Sequence, residues 1–119
     1  MLVYLIAGEP SGDMLGVRLM RALKTAEPEI QFAGVGGENM EKAGINSLFD
    51  ITDLAIMGIA EVIPSIPKVL RHIRETVADI AAKKPDVVIT IDSWSFSARV
   101  HKALRKKGIK VLQMHYVAP

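Results

Sequence analysis

The sequence predicts an α/β domain built on a parallel sheet flanked by helices. Three observations predict it. Short β-rich runs alternate with amphipathic segments along the chain, the signature of successive βαβ units. The run Val87–Ile91 is apolar enough to be buried on both faces, as a central parallel strand is. Finally, the 119 residues are 50% apolar and 24% charged, enough chain and apolar surface for one folded domain and neither a disordered segment nor a polyelectrolyte.

The elements follow in order. The start, Met1-Leu2-Val3-Tyr4-Leu5-Ile6-Ala7, lacks the basic residues and the length of a signal peptide and reads as a first strand, Leu2–Ala7. After the turn Gly8-Glu9-Pro10-Ser11-Gly12-Asp13, the residues Leu15, Leu19, Ala22 and Leu23 recur at helical spacing beside Arg18, Arg21 and Lys24, so a surface helix packs on the sheet. A second strand is expected at Ile30–Val35. Gly34-x-Gly36-Gly37 then reads as a turn before a short helix, Glu38–Lys42, because a dinucleotide fingerprint belongs after the first strand of its unit. A weaker strand is expected around Ile45–Phe49. The stretch Asp53–Ile63 is apolar enough for a core helix, but Gly58, Pro64 and Pro67 break its regularity, so a lid or an acyl-chain patch is the other reading. Leu54 to Leu70, interrupted by Glu61, Pro64, Pro67 and Lys68, falls short of the roughly 20 apolar residues that span a bilayer.

Pro67–Ala82 carries the strongest helical stripe, with Ile66, Val69, Leu70, Ile73, Val77 and Ile80, and Lys83-Lys84-Pro85 closes it with positive charge and a breaker. The strand Val87–Asp92 follows, then a helix over about Ser97–Lys107 ended by Gly108 in a left-handed cap. Ile109–Val117 is the last strand expected, and its free edge makes self-association plausible.

The formal charge of +2 conceals an asymmetry: residues 1–61 hold nine acids and four bases, residues 62–119 eleven bases and four acids. A basic half attracts anionic surfaces, but two solvated, lysine-rich helix faces account for it equally well. Nucleic acid is not an expected partner. The absence of cysteine excludes disulfides, thiolate metal sites and a cysteine nucleophile, and three scattered histidines give no zinc spacing. His72 and His101, on basic helices, are expected to face solvent; His115, on the last strand, reads as a hydrogen-bonding residue more readily than as a catalyst.

In an open parallel sheet, ligands collect at the carboxyl ends of the strands. Two loops there hold chemistry. In the first, Gly8 and Gly12 free the backbone so that the helix amides can face an anion or sugar hydroxyls. The spacing is neither G-x-G-x-x-G nor a P-loop, and Ser11 and Asp13 would serve equally as helix caps. Glu9, just past a buried strand, must be solvated, paired or used. In the second loop, Asp92 closes an apolar strand, where a carboxylate acts as a general base, binds a hydroxyl or metal, or simply caps the next helix.

The chain resembles the N-terminal part of the lipid-A-disaccharide synthase family. The residues that carry the resemblance are Ala7-Gly8-Glu9-Pro10-Ser11-Gly12-Asp13, Leu15-Gly16, Arg21-Ala22-Leu23-Lys24, Phe32-x-Gly34-Val35-x-Gly37, Met40, Gly44, Asp53-Leu54-Ala55-x-Met57-Gly58-x-x-Glu61-Val62, Lys84-Pro85-Asp86-Val87, Ile91-Asp92 and His115-Tyr116-Val117-Ala118-Pro119. They occur in order across the whole chain. The resemblance implies a Rossmann-like sheet forming part of the N-terminal, acceptor-side domain of an inverting GT-B glycosyltransferase, working on the inner face of the cytoplasmic membrane of a Gram-negative bacterium without metal or cofactor. Its substrates would be UDP-diacylglucosamine and diacylglucosamine 1-phosphate. By the same carry-over, Asp92 and Glu9 would be catalytic, Gly8, Ser11, Gly12, Asp13, Met57, Gly58, Glu61 and His115 would bind substrate, and residues 54–74 would meet the membrane.

Two departures stand out. Where the family usually reads I-D-x-P-D-F, this sequence has Ile91-Asp92-Ser93-Trp94-Ser95-Phe96, so Trp94 replaces the proline and Ser95 the second aspartate. The family also continues beyond the 119 residues into a UDP-sugar-binding domain, and the lone chain is therefore expected to lack transferase activity. The alternative is a small α/β module that binds a nucleotide or phosphate at Gly8–Asp13 without chemistry.

Overall fold

The computed structural model describes residues 1–54, 66–92 and 94–117. The elements are β1 (Leu2–Ala7), α1 (Pro10–Ala26), β2 (Gln31–Val35), α2 (Glu38–Lys42), a 3₁₀ turn (Ile51–Leu54), α3 (Ile66–Lys83), β3 (Val87–Ile91), α4 (Trp94–Lys106) and β4 (Leu112–Tyr116). The four strands form one parallel sheet in the order β2-β1-β3-β4.

Alternation along β1 builds two cores. Side chains of a strand point to opposite faces in turn, so Tyr4 and Ile6 join Val88, α3 and α4 on one face, while Val3, Leu5 and Ala7 join Ile89, Ile91 and α1 on the other. Because β1 and β3 are covered on both sides, their sequences are almost wholly apolar, with Thr90 the polar exception in β3. Tyr4 is fully buried and donates its hydroxyl to Asp79 of α3 at 2.7 Å, tying the sheet to that helix. Burial first, then this bond, pushes the phenol above its ordinary value, so it remains a neutral donor.

Several boundaries shift for physical reasons. Helix α1 starts at Pro10, whose missing N–H costs nothing in a first turn. Helix α4 starts at Trp94, earlier than its apolar spacing suggests. The expected strand Ile109–Val117 contracts to Leu112–Tyr116 because the chain first completes the helix end: Lys107, Gly108 and Ile109 donate to Ala103, Arg105 and Leu104, with Gly108 at φ +70°. The expected strand at Ile45–Phe49 is a single parallel bridge between Gly34 and Ser47. Asp92 lies outside β3 because its φ is +48°. The possible lid, with Met57, Gly58 and Glu61, lies outside the described residues.

Two expectations are corrected. His72 (3% exposed) and His101 (6%) are buried, not solvent-facing. His72 falls among Val69, Ile73 and Thr76, and His101 among Ser97, Val100 and Leu104, so each sits on the inward stripe of its helix despite the basic residues around it.

Strand β4 is one edge of the sheet. Its register sets Leu112, Met114 and Tyr116 beside Val87, Ile89 and Ile91, on the face that α1 covers further in, and all three are exposed.

Candidate functional site

Helix α1 follows β1 on one face of the sheet, whereas α3 and α4 lie on the other, so the chain changes direction between β1 and β3. A crevice opens at such a point, outside the carboxyl ends of the strands. Ala7 pairs with Ile91, which makes Gly8 and Asp92 the next residues on adjacent parallel strands. The two loops that carry candidate carboxylates therefore leave the sheet side by side.

Gly12 shows how closely they pack: a Cβ there would lie 3.3 Å from the Ile91 carbonyl oxygen and 3.5 Å from the Ala7 Cβ. Its role is close approach of the first turn of α1 to the strand ends. Ser11 is exposed beside it. Glu9 occupies the N-cap position of α1, but its side chain makes no capping hydrogen bond, and it is exposed.

Asp13 behaves differently. It is 4% exposed, and its carboxylate accepts from the backbone N–H groups of Gly37 (2.9 Å), Asn39 (3.0 Å) and Met40 (3.0 Å). It thus caps α2, not its own helix, satisfying donors that a helix N-terminus leaves without partners. Gly37 is needed for this approach, since a Cβ would stand 2.7 Å from the carboxylate, and Gly16 and Gly36 leave room for Met40 in the same way. Gly36 donates to Ser47 Oγ, and Ser47 in turn donates to the Phe49 carbonyl.

Between these parts lies an open cleft of about 910 Å³, lined by Gly8, Glu9, Asp13 and Ser95, by the turn Gly36–Asn39, and by residues of the 47–54 segment. The lining includes five carboxylates, Glu9, Asp13, Glu38, Glu41 and Asp50, and no lysine or arginine among the described residues. Its wall is held from outside. His72 stacks on Phe49 with ring centroids 3.9 Å apart, and its nitrogens meet Asp53 at 2.7 Å and Glu75 at 3.2 Å. The His72 hydrogen bond, with a smaller contribution from Lys68 and against desolvation, holds Asp53 below its ordinary value of 3.8.

Asp92 stands at the end of β3 in a left-handed conformation. Its N–H donates to the Tyr116 carbonyl, and its own carbonyl accepts from Ser97 Oγ, so the backbone is anchored on both sides. Among the described residues its carboxylate takes no capping hydrogen bond. A non-glycine residue held at positive φ stores modest strain, tolerated by aspartate, where structure over-determines it. His115 is not in the acidic cleft. It lines a shallow pocket of about 460 Å³ with Trp94, His101 and Gln113.

The family model described as lipid-A-disaccharide synthetase matches residues 3–119. The chain belongs to that family. Among curated relatives named lipid-A-disaccharide synthase, it is 54% identical to one from Paramagnetospirillum magneticum, the alignment covering 100% of this chain and 31% of the relative. It is 48% identical to one from Granulibacter bethesdensis (99% and 30%) and 43% identical to one from Actinobacillus pleuropneumoniae (99% and 30%). The chain thus spans about 30% of the length of these relatives.

Set against the lipid-A-disaccharide synthetase pattern, the structure separates the quoted motifs by what they do. Asp13, Gly16, Gly37 and Met40 build the α1–α2 junction, and Gly34 lets β2 approach β1. At Gly34, with φ +139°, a Cβ would fall 1.9 Å from the Leu5 carbonyl oxygen. Glu9 and Asp92 are the motif acids whose carboxylates are left for other partners among the described residues. The two residues after Ser93 diverge: Ser95 lines the acidic cleft, while Trp94 turns its ring toward His115, 4.6 Å between centroids. Sequence reasoning missed His72, His101 and Thr90; helical spacing of the histidines with their apolar neighbours was the available signal.

Proposed function

We propose that this chain forms the acceptor-side part of a lipid A biosynthetic glycosyltransferase, which moves diacylglucosamine from UDP to the 6-hydroxyl of diacylglucosamine 1-phosphate. The observation that carries the reading is that the loops bearing Glu9 and Asp92 leave adjacent strand ends, in a chain of this family. In the reaction, the acceptor oxygen attacks the anomeric carbon as the bond to the UDP phosphate oxygen breaks, inverting that carbon to the β-1,6 linkage. The hydroxyl proton passes to the Asp92 carboxylate, and the bonding electron pair leaves with UDP. Glu9 orients the acceptor. The acidic, hydroxyl-bearing cleft suits sugar hydroxyls and disfavours phosphate, which speaks against the nucleotide-binding alternative and leaves the acceptor's own phosphate to be held outside this cleft. UDP belongs with the portion of the relatives that this chain does not span.

Membrane contact through residues 54–74 is part of the proposal, with the working place on the inner membrane face. Leu70 is exposed between Arg71 and the exposed Arg74 and Lys68, the mixture of apolar and basic groups that suits an anionic lipid surface. No described helix is long and apolar enough to cross a membrane.

The test is a graft: these 119 residues replace the matching segment of the Paramagnetospirillum relative, and sugar transfer is measured. The graft should transfer, and Asp92→Asn should slow it by roughly 10²–10⁴-fold. An unaltered rate would reduce Asp92 to a structural residue. Residues 1–119 alone should not transfer.

A further inference from the structure

On the side of β3 away from the acidic cleft, four polar side chains form a continuous path. Gln113 Oε1 lies 2.7 Å from His101 Nδ1, His101 Nε2 lies 2.7 Å from Thr90 Oγ1, and Thr90 Oγ1 lies 2.8 Å from His115 Nδ1. Thr90 is fully buried and His101 nearly so. The register places Thr90 opposite His115 and Val88 opposite Gln113, so the two β4 side chains reach the same face of the sheet as α4.

Proton counting gives this path a direction. An amide oxygen only accepts, so His101 donates from Nδ1 and, as a neutral ring, offers a lone pair at Nε2. Thr90 has one hydroxyl proton. At 2.7 Å it goes to His101 in preference to the Met114 carbonyl at 3.3 Å. The Thr90 oxygen must then accept from His115 Nδ1. We propose that Gln113, His101 and Thr90 lock His115 in its Nδ1–H tautomer, so that Nε2 becomes a fixed acceptor for a hydroxyl of a phosphorylated sugar seated against Trp94.

The surroundings suit that ligand. The Trp94 ring is 58% exposed beside His115, offering a flat apolar face to a pyranose. Lys102 and Arg105 line the same pocket and supply donors for a phosphate. Desolvation by burial is the largest cause that holds the imidazole below its ordinary value of 6.5, against an opposing pull from Asp92, so the ring that faces the ligand favours its neutral form. His115 would touch the ligand; Thr90, His101 and Gln113 are positioning residues. The choice of a sugar phosphate rests on the transferase reading, whereas the tautomer does not.

Long-range proton–nitrogen spectra of the ¹⁵N-labelled chain read the tautomer directly. At neutral pH both His101 and His115 should carry the proton on Nδ1. Thr90→Val should return His115 to the Nε2–H form that predominates in a free histidine side chain. Gln113→Leu, on the edge strand, should release His101 and, through Thr90, His115 as well, which keeps the test informative should the buried Thr90 variant fail to fold. A proton on His115 Nε2 in the parent chain, or a His115 signal unmoved when His101 is released, overturns the lock. Glucosamine 1-phosphate should shift the His115 Nε2 resonance and change the fluorescence of Trp94, the only tryptophan. If excess sugar phosphate moves neither, the acceptor role is overturned. An inactive graft whose His115 remains locked would count against the transferase reading alone.

Discussion

The two halves of the sheet's carboxyl edge solve different problems. At the β1–β2 side, polar groups are fixed by backbone: Asp13 takes three N–H groups of the Gly37–Met40 turn, and glycines make the approach possible. At the β3–β4 side, they are fixed by side chains: Thr90 and His101 orient His115, and Trp94 packs over both imidazoles. The first arrangement tolerates almost no change, because a backbone turn has no alternative geometry. The second can be retuned by one side chain. Within the first half, Glu9 and Asp13 differ although only four residues apart: Asp13 is consumed by structure, whereas Glu9 is exposed and caps nothing.

The contrast can be broken or sharpened in three ways. The largest effect is expected for Asp13→Ala, which strands three backbone donors at a part-buried helix start. Stability should fall by about 3 kcal/mol in urea unfolding, in line with losing hydrogen bonds to a charged acceptor, and a loss no larger than that of an ordinary surface substitution would show that the turn stands without its carboxylate. A smaller effect is expected from acid at the cleft wall. Asp53 is held below its ordinary value of 3.8, so its contribution is fully present above that pH and is lost as pH falls through the lowered folded value. The urea midpoint of the parent should therefore drop more steeply below about pH 4 than that of Asp53→Asn, and parallel curves would remove the His72 clip from the description. The smallest effect is expected for Glu9→Gln, which should leave stability within about 0.5 kcal/mol, since the side chain is exposed and caps nothing, while slowing transfer in the graft. A large stability loss would erase the distinction between the two carboxylates.

Much of this was legible in the sequence because it is local. Strand β1 and helix α2 have the limits expected, α3 is within a residue of them, and Gly108 ends α4 in the left-handed conformation foreseen. Apolar periodicity and the punctuation of glycine and proline act over a few residues, and a linear reading captures them. The placement of Asp92 at a strand end is of the same kind. The burial of His72 and His101 was legible in spacing but masked by the lysines and arginines around them.

What the sequence determined by itself is the order of the four sheet strands and their helices along the chain, the parallel sheet, the membership of a family and the two carboxylates at the sheet's rim. What only the tertiary structure decided is what each polar group is for. Asp13 meets a turn 24 to 27 residues away, Thr90 meets His115 across a strand pair 25 residues apart, and His72 meets Asp53 over 19. A hydrogen bond is satisfied by whichever partner the fold brings within 3 Å, and that distance is set by packing of the whole sheet, which no local pattern carries.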